Sequence, residues 1–142
     1  MATMVLATAA VDGERGYAQR VITSAHDLTA DESERRGGTN TGPSPFELML
    51  SSLGACTAIT LRMYADRKHW DLGKITVKLR LLKHGEEQPR IERKISVSGT
   101  MSGEQLEKLL EIAEKTPVTR ALAPGVPIAT VLDKSQGDSP TE

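Results

Sequence analysis

Cys56 is the only cysteine in the 142-residue chain. A single thiol cannot close an intramolecular disulfide. Sulfur chemistry in this protein therefore needs an outside thiol or a second copy of the chain. The active species would be the thiolate, which forms near neutral pH only beside a cation or a helix N-terminus. Free cysteine is also among the most buried residue types and often serves as a small hydrophobe. The residues alone leave both readings open.

Other site chemistries find less support. His26, His69 and His84 are scattered and, with one Cys, give no recognisable zinc-ligand spacing. No Lys-Ser/Thr pair follows the glycines at 37, 38 and 42, and Pro43 and Pro45 remove backbone donors, so no phosphate loop is expected. Ser51 and Ser52 lie within a helical pattern without a nucleophile elbow around them. Neither a metal nor another cofactor is expected. With 3% aromatic residues and a formal net charge of −1, the chain has few side chains for stacking on nucleic-acid bases and no bulk attraction to phosphate. No apolar run approaches bilayer-spanning length, and no membrane partner is expected. The apolar start, Met1 to Ala10, has no basic flank and reads as a strand rather than an export signal. With one free cysteine, these features favour a reducing, cytoplasmic compartment.

The elements that would position Cys56 can be read in order. Met4 to Val11, Tyr17 to Ala25 and His26 to Asp31 read as three strands of a meander. Asp31 to Gly42 is polar and glycine-rich, a loop expected to be mobile. Ser44 as N-cap, Pro45 at the first helical position and Glu47 three residues after the cap predict a helix running to about Arg67. It is apolar nearly all round, as in a helix buried on most sides. Cys56 lies about three turns in, where the dipole of the helix start helps little. A side-chain cation would have to activate it, and Arg20, Arg35, Arg36 and His26 are candidates.

Lys74 to His84 and Arg90 to Gly99 alternate as a hairpin with one core face, carrying Ile75, Val77, Leu79, Leu81, Ile91, Ile95 and Val97. A second capping box at Ser102 opens a helix with Leu106, Leu109, Leu110 and Ala113 as its stripe, and Pro117 marks its end. Pro117 to Ala123 is a turn or short helix. Val126 to Leu132 reads as a last strand, and residues 134 to 142 as a frayed tail. Antiparallel strands with segregated helices make the chain a single α+β domain over residues 1–142.

The stretch Gly37-Gly38-Thr39-Asn40-Thr41-Gly42-Pro43-Ser44-Pro45-Phe46-Glu47-Leu48-Met49-Leu50, continued by Leu53-Gly54-Ala55-Cys56-Thr57-Ala58 and Arg62-Met63-Tyr64-Ala65, resembles the OsmC/Ohr superfamily. These are the osmotically induced protein C and organic hydroperoxide resistance proteins. Leu109 to Thr119 fits as well, and the resemblance covers about residues 4 to 132. It implies an OsmC-like fold, with antiparallel sheets wrapped around a long central helix in an intertwined homodimer. It further implies a helix cysteine that attacks an organic hydroperoxide, a resolving cysteine that closes a disulfide, and a dithiol reductant. An Arg and a Glu assist the attacking thiolate.

On this pattern Cys56 takes the attacking position. Thr116 stands at the resolving position, followed by Pro117, Val118 and Thr119, and a hydroxyl cannot form a disulfide. Phe46 aligns with the family's Glu and Glu47 follows one residue later. The candidate catalytic set is therefore Cys56, Arg20 and Glu47, with His26 and Asp31 near the loop. Two functions remain: hydroperoxide reduction through Cys56 with an external thiol reductant, or an OsmC-like binding or scaffold protein without the redox cycle. In the second, Met49, Leu53 and Met63 would line a pocket for a small apolar ligand.

Overall fold

The computed structural model describes residues 2–133. Its order is three short strands, a long helix, a hairpin and two helices: β1 (Ala10–Asp12), β2 (Gln19–Ile22), β3 (Asp27–Ala30), α1 (Pro45–Lys68), β4 (Ile75–Leu82), β5 (Arg90–Val97), α2 (Gly103–Ala113) and α3 (Pro117–Leu122). Both sheets are antiparallel, one of order β1-β2-β3 and the other the β4-β5 pair. The α+β expectation holds. The frayed-tail reading of residues 134–142 lies outside the described residues.

α1 begins as its sequence dictates. The Ser44 hydroxyl accepts from the Glu47 amide at 3.2 Å and the Glu47 carboxylate accepts from the Ser44 amide at 2.8 Å. Pro45 takes a position whose N–H would have no helical partner anyway. The helix ends at His69, which is left-handed with φ 60°. Leu53, Thr57, Leu61 and Ala65, spaced by four, are buried. They face β4, α2 and α3. At Gly54 an added Cβ would sit 2.8 Å from Leu79 Cδ1, so glycine lets α1 lie close on β4.

The core centres on Leu61, Ala65, Leu72 and Leu109, with Tyr64, Trp70, Ile75, Ile95, Val97, Met101 and Ile112 packed around them. Tyr64 and Trp70 meet edge to face, centroids 5.5 Å apart, the arrangement ring quadrupoles favour. The hairpin register pairs Ile75 with Val97, Val77 with Ile95, Leu79 with Arg93 and Leu81 with Ile91. Those residues share the inward face. On the wet face Arg80 and Arg90 both bind Glu92, at 2.6 and 3.0 Å, and their hydrogen bonds hold its carboxyl below the usual range.

Several expectations change. The first strand forms only at Ala10–Asp12, and Met4, Val5 and Leu6 are exposed. Val126 to Leu132 forms no ladder, and Val126, Ile128, Val131 and Leu132 are exposed. Both segments are apolar, and among the described residues no neighbouring strand completes their backbone hydrogen bonds. α1 is not covered on most sides: Ile59 is 55% and Met63 59% exposed. As expected, α2 ends ahead of Pro117 and a short helix follows: Pro117 opens α3, where its fixed φ suits a first helical position. α1 is also long and apolar enough to cross a bilayer by length and composition, contrary to the sequence reading, although part of that apolar surface packs on β4, α2 and α3.

The loop before α1 is pinned rather than mobile in outline. Asp31 is only 2% exposed. Its carboxylate accepts from the hydroxyls of Thr39 and Thr41, each at 2.7 Å, from both their amides, and from the Glu32 amide. These bonds, Thr39 foremost, hold its carboxyl well below the usual carboxylate range. The Asp31 amide also donates to the Pro43 carbonyl at 3.1 Å. A chain segment of Gly, Thr and Asn is thus wrapped around one buried anion immediately before the α1 cap.

Candidate functional site

Cys56 sits at the edge of the covered part of α1. Three residues advance a helix by about 300°, so Leu53, Cys56 and Ile59 step round it by about 60° each. Leu53 is buried and Ile59 exposed, and Cys56 between them is a half-buried free thiol. Among the described residues no side chain hydrogen-bonds it.

The other two sequence candidates lie elsewhere. Arg20, on β2, is held by Asp27 on β3 through three contacts, the shortest Nη2 to Oδ2 at 2.7 Å. Both side chains are exposed, and their mutual hydrogen bonds raise the Arg20 pKa and lower that of Asp27. Glu47 completes the helix cap and borders a shallow groove beside Leu50, Gly54 and Val77. Within one chain no hydrogen bond or ion pair joins Arg20, Glu47 and Cys56. His26 uses its backbone carbonyl in the β2–β3 turn. Asp31 is the buried post of the loop. Arg35 and Arg36 lie in a single 3-10 turn, where Arg36 meets Glu32 at 3.4 Å. Among the described residues no group of three His, Cys, Asp or Glu side chains converges as a metal site would require.

A second enclosed polar cluster is one the sequence reading passed over. Arg93 occupies an inward position of β5 and is only 12% exposed. Its Nη1 donates to Thr57 Oγ1 and to Thr119 Oγ1, each at 2.9 Å. Thr57 gives its own proton to the Leu53 carbonyl at 2.7 Å, a local bond within α1. Thr119 can give its proton to the Ala113 carbonyl at 3.3 Å. Thr116 Oγ1 lies 2.7 Å from Thr119 Oγ1, and either hydroxyl of this pair can be the donor. Because a guanidinium only donates, the lone pairs of Thr57 and Thr119 face it. Arg93 thus ties β5 to α1 and to the α2–α3 junction. Thr116 is fully buried and caps α3 from its hydroxyl.

The signal for Arg93 was in the alternation. Ile91, Arg93, Ile95 and Val97 share one face of β5, and a charge at such a position must find partners or pay desolvation. Beside it opens a recess of about 580 Å³ whose apolar lining includes Phe46, Met49, Leu53, Leu81, Ile91 and Leu122. Met49 and Leu53 thus share a pocket as expected. Met63 does not line it and lies on the exposed part of α1. Cys56 does not line this recess either.

Residues 38–131 match the family model described as OsmC-like protein. A comparison with curated proteins gives no match. Among solved structures, the chain is similar to one described as an osmotic stress induced and detoxification response protein from Psychrobacter arcticus, at 16% identity and a TM-score of 0.74. That match covers 87% of this chain and 93% of the other. An OsmC-like protein from Mycoplasma pneumoniae matches at 17% identity and a TM-score of 0.68, covering 86% and 89%. An organic hydroperoxide resistance protein OsmC from Legionella pneumophila matches at 20% identity and a TM-score of 0.62, covering 84% and 92%. At these identities the likeness is one of fold.

Proposed function

The chain belongs to the OsmC-like protein family, and from that premise we propose that it is a single-domain, homodimeric thiol protein that reduces organic hydroperoxides through Cys56. The observation that carries the reading is the half-buried free thiol of Cys56 on the long helix of this fold. It is reachable by a small molecule and has no second cysteine to oxidise with.

The chemistry follows from those two facts. The Cys56 thiolate attacks one oxygen of the peroxide, the O–O bond breaks, and its electron pair leaves with the other oxygen as an alkoxide. Protonation of the alkoxide gives an alcohol, and sulfur is left as a sulfenic acid. Thr116 cannot condense with it. An external thiol attacks the sulfenic sulfur, releasing water and leaving a mixed disulfide. A second thiol equivalent attacks that disulfide and restores Cys56. Such a cycle suits a reducing, cytoplasmic compartment.

The homodimer is supported by what one chain leaves uncovered. Ile59 and Met63 on α1, Met4 to Leu6 before β1, and Val126 to Leu132 after α3 expose apolar side chains. A second copy lying against α1 would cover the first pair and come close to Cys56. Cationic assistance to the thiolate, for which Arg20 is the candidate with Glu47 beside the helix start, would then come across that contact.

The second reading, a binding or scaffold protein, is favoured by a different observation. Arg20 is engaged by Asp27, and among the described residues no cation pairs with the thiol. Treatment of the reduced protein with cumene hydroperoxide, followed by intact mass against Cys56→Ser, decides between the two.

A further inference from the structure

Arg93 is a largely enclosed cation, its side chain 12% exposed, and its charge balance is incomplete. Its Nη1 is engaged by two neutral hydroxyls. Its one carboxylate neighbour among the described residues, Glu114, lies 3.5 Å from Nη2. That is longer than the roughly 2.7–2.9 Å of a strong charge-assisted bond. The Glu114 side chain is 74% exposed, so it can turn to water at little cost. A guanidinium this enclosed is otherwise held by a close anion.

The same guanidinium borders the apolar recess formed by Phe46, Met49, Leu53, Leu81, Ile91 and Leu122. Arg90 adds a second cationic side chain to the lining, already shared with Glu92. The volume, about 580 Å³, falls within the roughly 300–1,000 Å³ of small-molecule sites. Apolar walls with one enclosed cation are complementary to a molecule with an alkyl body and a single anionic end.

We propose that this recess is a binding site for a medium-chain alkyl carboxylate, whose head group displaces Glu114 from Arg93 while its chain lies against Phe46, Met49 and Leu53. The planar guanidinium presents paired N–H donors that match a carboxylate. Glu114 occupies the head-group position in the empty site and competes with the ligand. The site does not depend on the thiol chemistry, since Cys56 does not line it.

Isothermal titration of the full chain with sodium decanoate below its micelle concentration tests this, with 1-decanol as the neutral control. Saturable decanoate binding is expected, with decanol about tenfold weaker or more, as loss of a charged hydrogen bond implies. Glu114→Gln removes the competitor and should tighten decanoate several-fold while leaving decanol unchanged. Arg93→Met should abolish the preference for decanoate; if that variant does not fold, Glu114→Gln decides alone. Cys56→Ser should bind like the parent, which separates this site from the peroxide reading. Equal binding of decanol and decanoate, no binding of either, or no effect of Glu114→Gln overturns the proposal. Sedimentation of the same samples covers the remaining occupant: if decanoate splits a dimer, the recess belongs to a second copy of the chain and the proposal also fails.

Discussion

Arg93 Nη1 and Thr57 Oγ1 lie 2.9 Å apart, joining the inner face of the hairpin to the turn of α1 that carries Cys56. The bond links residues 36 apart in sequence, and the same nitrogen reaches Thr119 across a separation of 26. One side chain thereby fixes α1, β5 and the α2–α3 junction relative to one another. Hydrogen bonds to a charged group are each worth about 1.5–3 kcal/mol. Thr57→Val keeps the shape and removes the acceptor. It should lower unfolding stability by about that amount, read as a lower urea midpoint at unchanged slope.

Thr116 is the N-cap of α3. Its hydroxyl binds Thr119 and accepts from the Thr119 amide at 3.4 Å while fully buried. Thr116→Val should cost about 0.5–2 kcal/mol, the range for loss of an N-cap. Thr116→Ser retains the hydroxyl and should cost less, and thermal unfolding of the two variants side by side checks the order.

Asp31 should set part of the acid limit. Its carboxyl is held low in the folded chain by the bonds from Thr39 and Thr41, whereas in the unfolded chain it titrates near about 4. The unfolded state therefore takes up the proton more readily. Asp31's contribution is complete above about pH 4 and is lost progressively as pH falls below that. Urea midpoints measured from neutral pH downward should fall in this window. Asp31→Asn should be less stable at neutral pH and should lack that part of the fall.

Much of this was legible in the sequence. Ser44, Pro45 and Glu47 marked the start of α1, and strict alternation marked the hairpin, because both signals are local. The strand expected at Val126 to Leu132 did not form because a ladder requires a neighbour, and none lies beside it among the described residues. Asp31 read as a loop residue since its five donors come from a segment whose folding the sequence does not display. Arg93 was missed because the alternation was read through its apolar members alone. The meeting of Arg93, Thr57 and Thr119 depends on tertiary packing of segments far apart in sequence.

The exposed apolar side of α1 bears on assembly. Sedimentation at micromolar concentration should give a dimer. Ile59→Glu, which places a charge on that open side, should shift the equilibrium toward monomer with little loss of helical signal. A clean monomer for the parent protein would contradict a second copy lying against α1.

The most direct test is on the sulfur. Reduced protein treated with a modest excess of cumene hydroperoxide should gain one oxygen atom by intact mass, and a small thiol added afterwards should convert that species to a mixed disulfide and then back to the starting mass. Cys56→Ser should show neither change. A parent protein whose mass stays unaltered under the same conditions would contradict the role of Cys56 as a peroxide-reactive thiol.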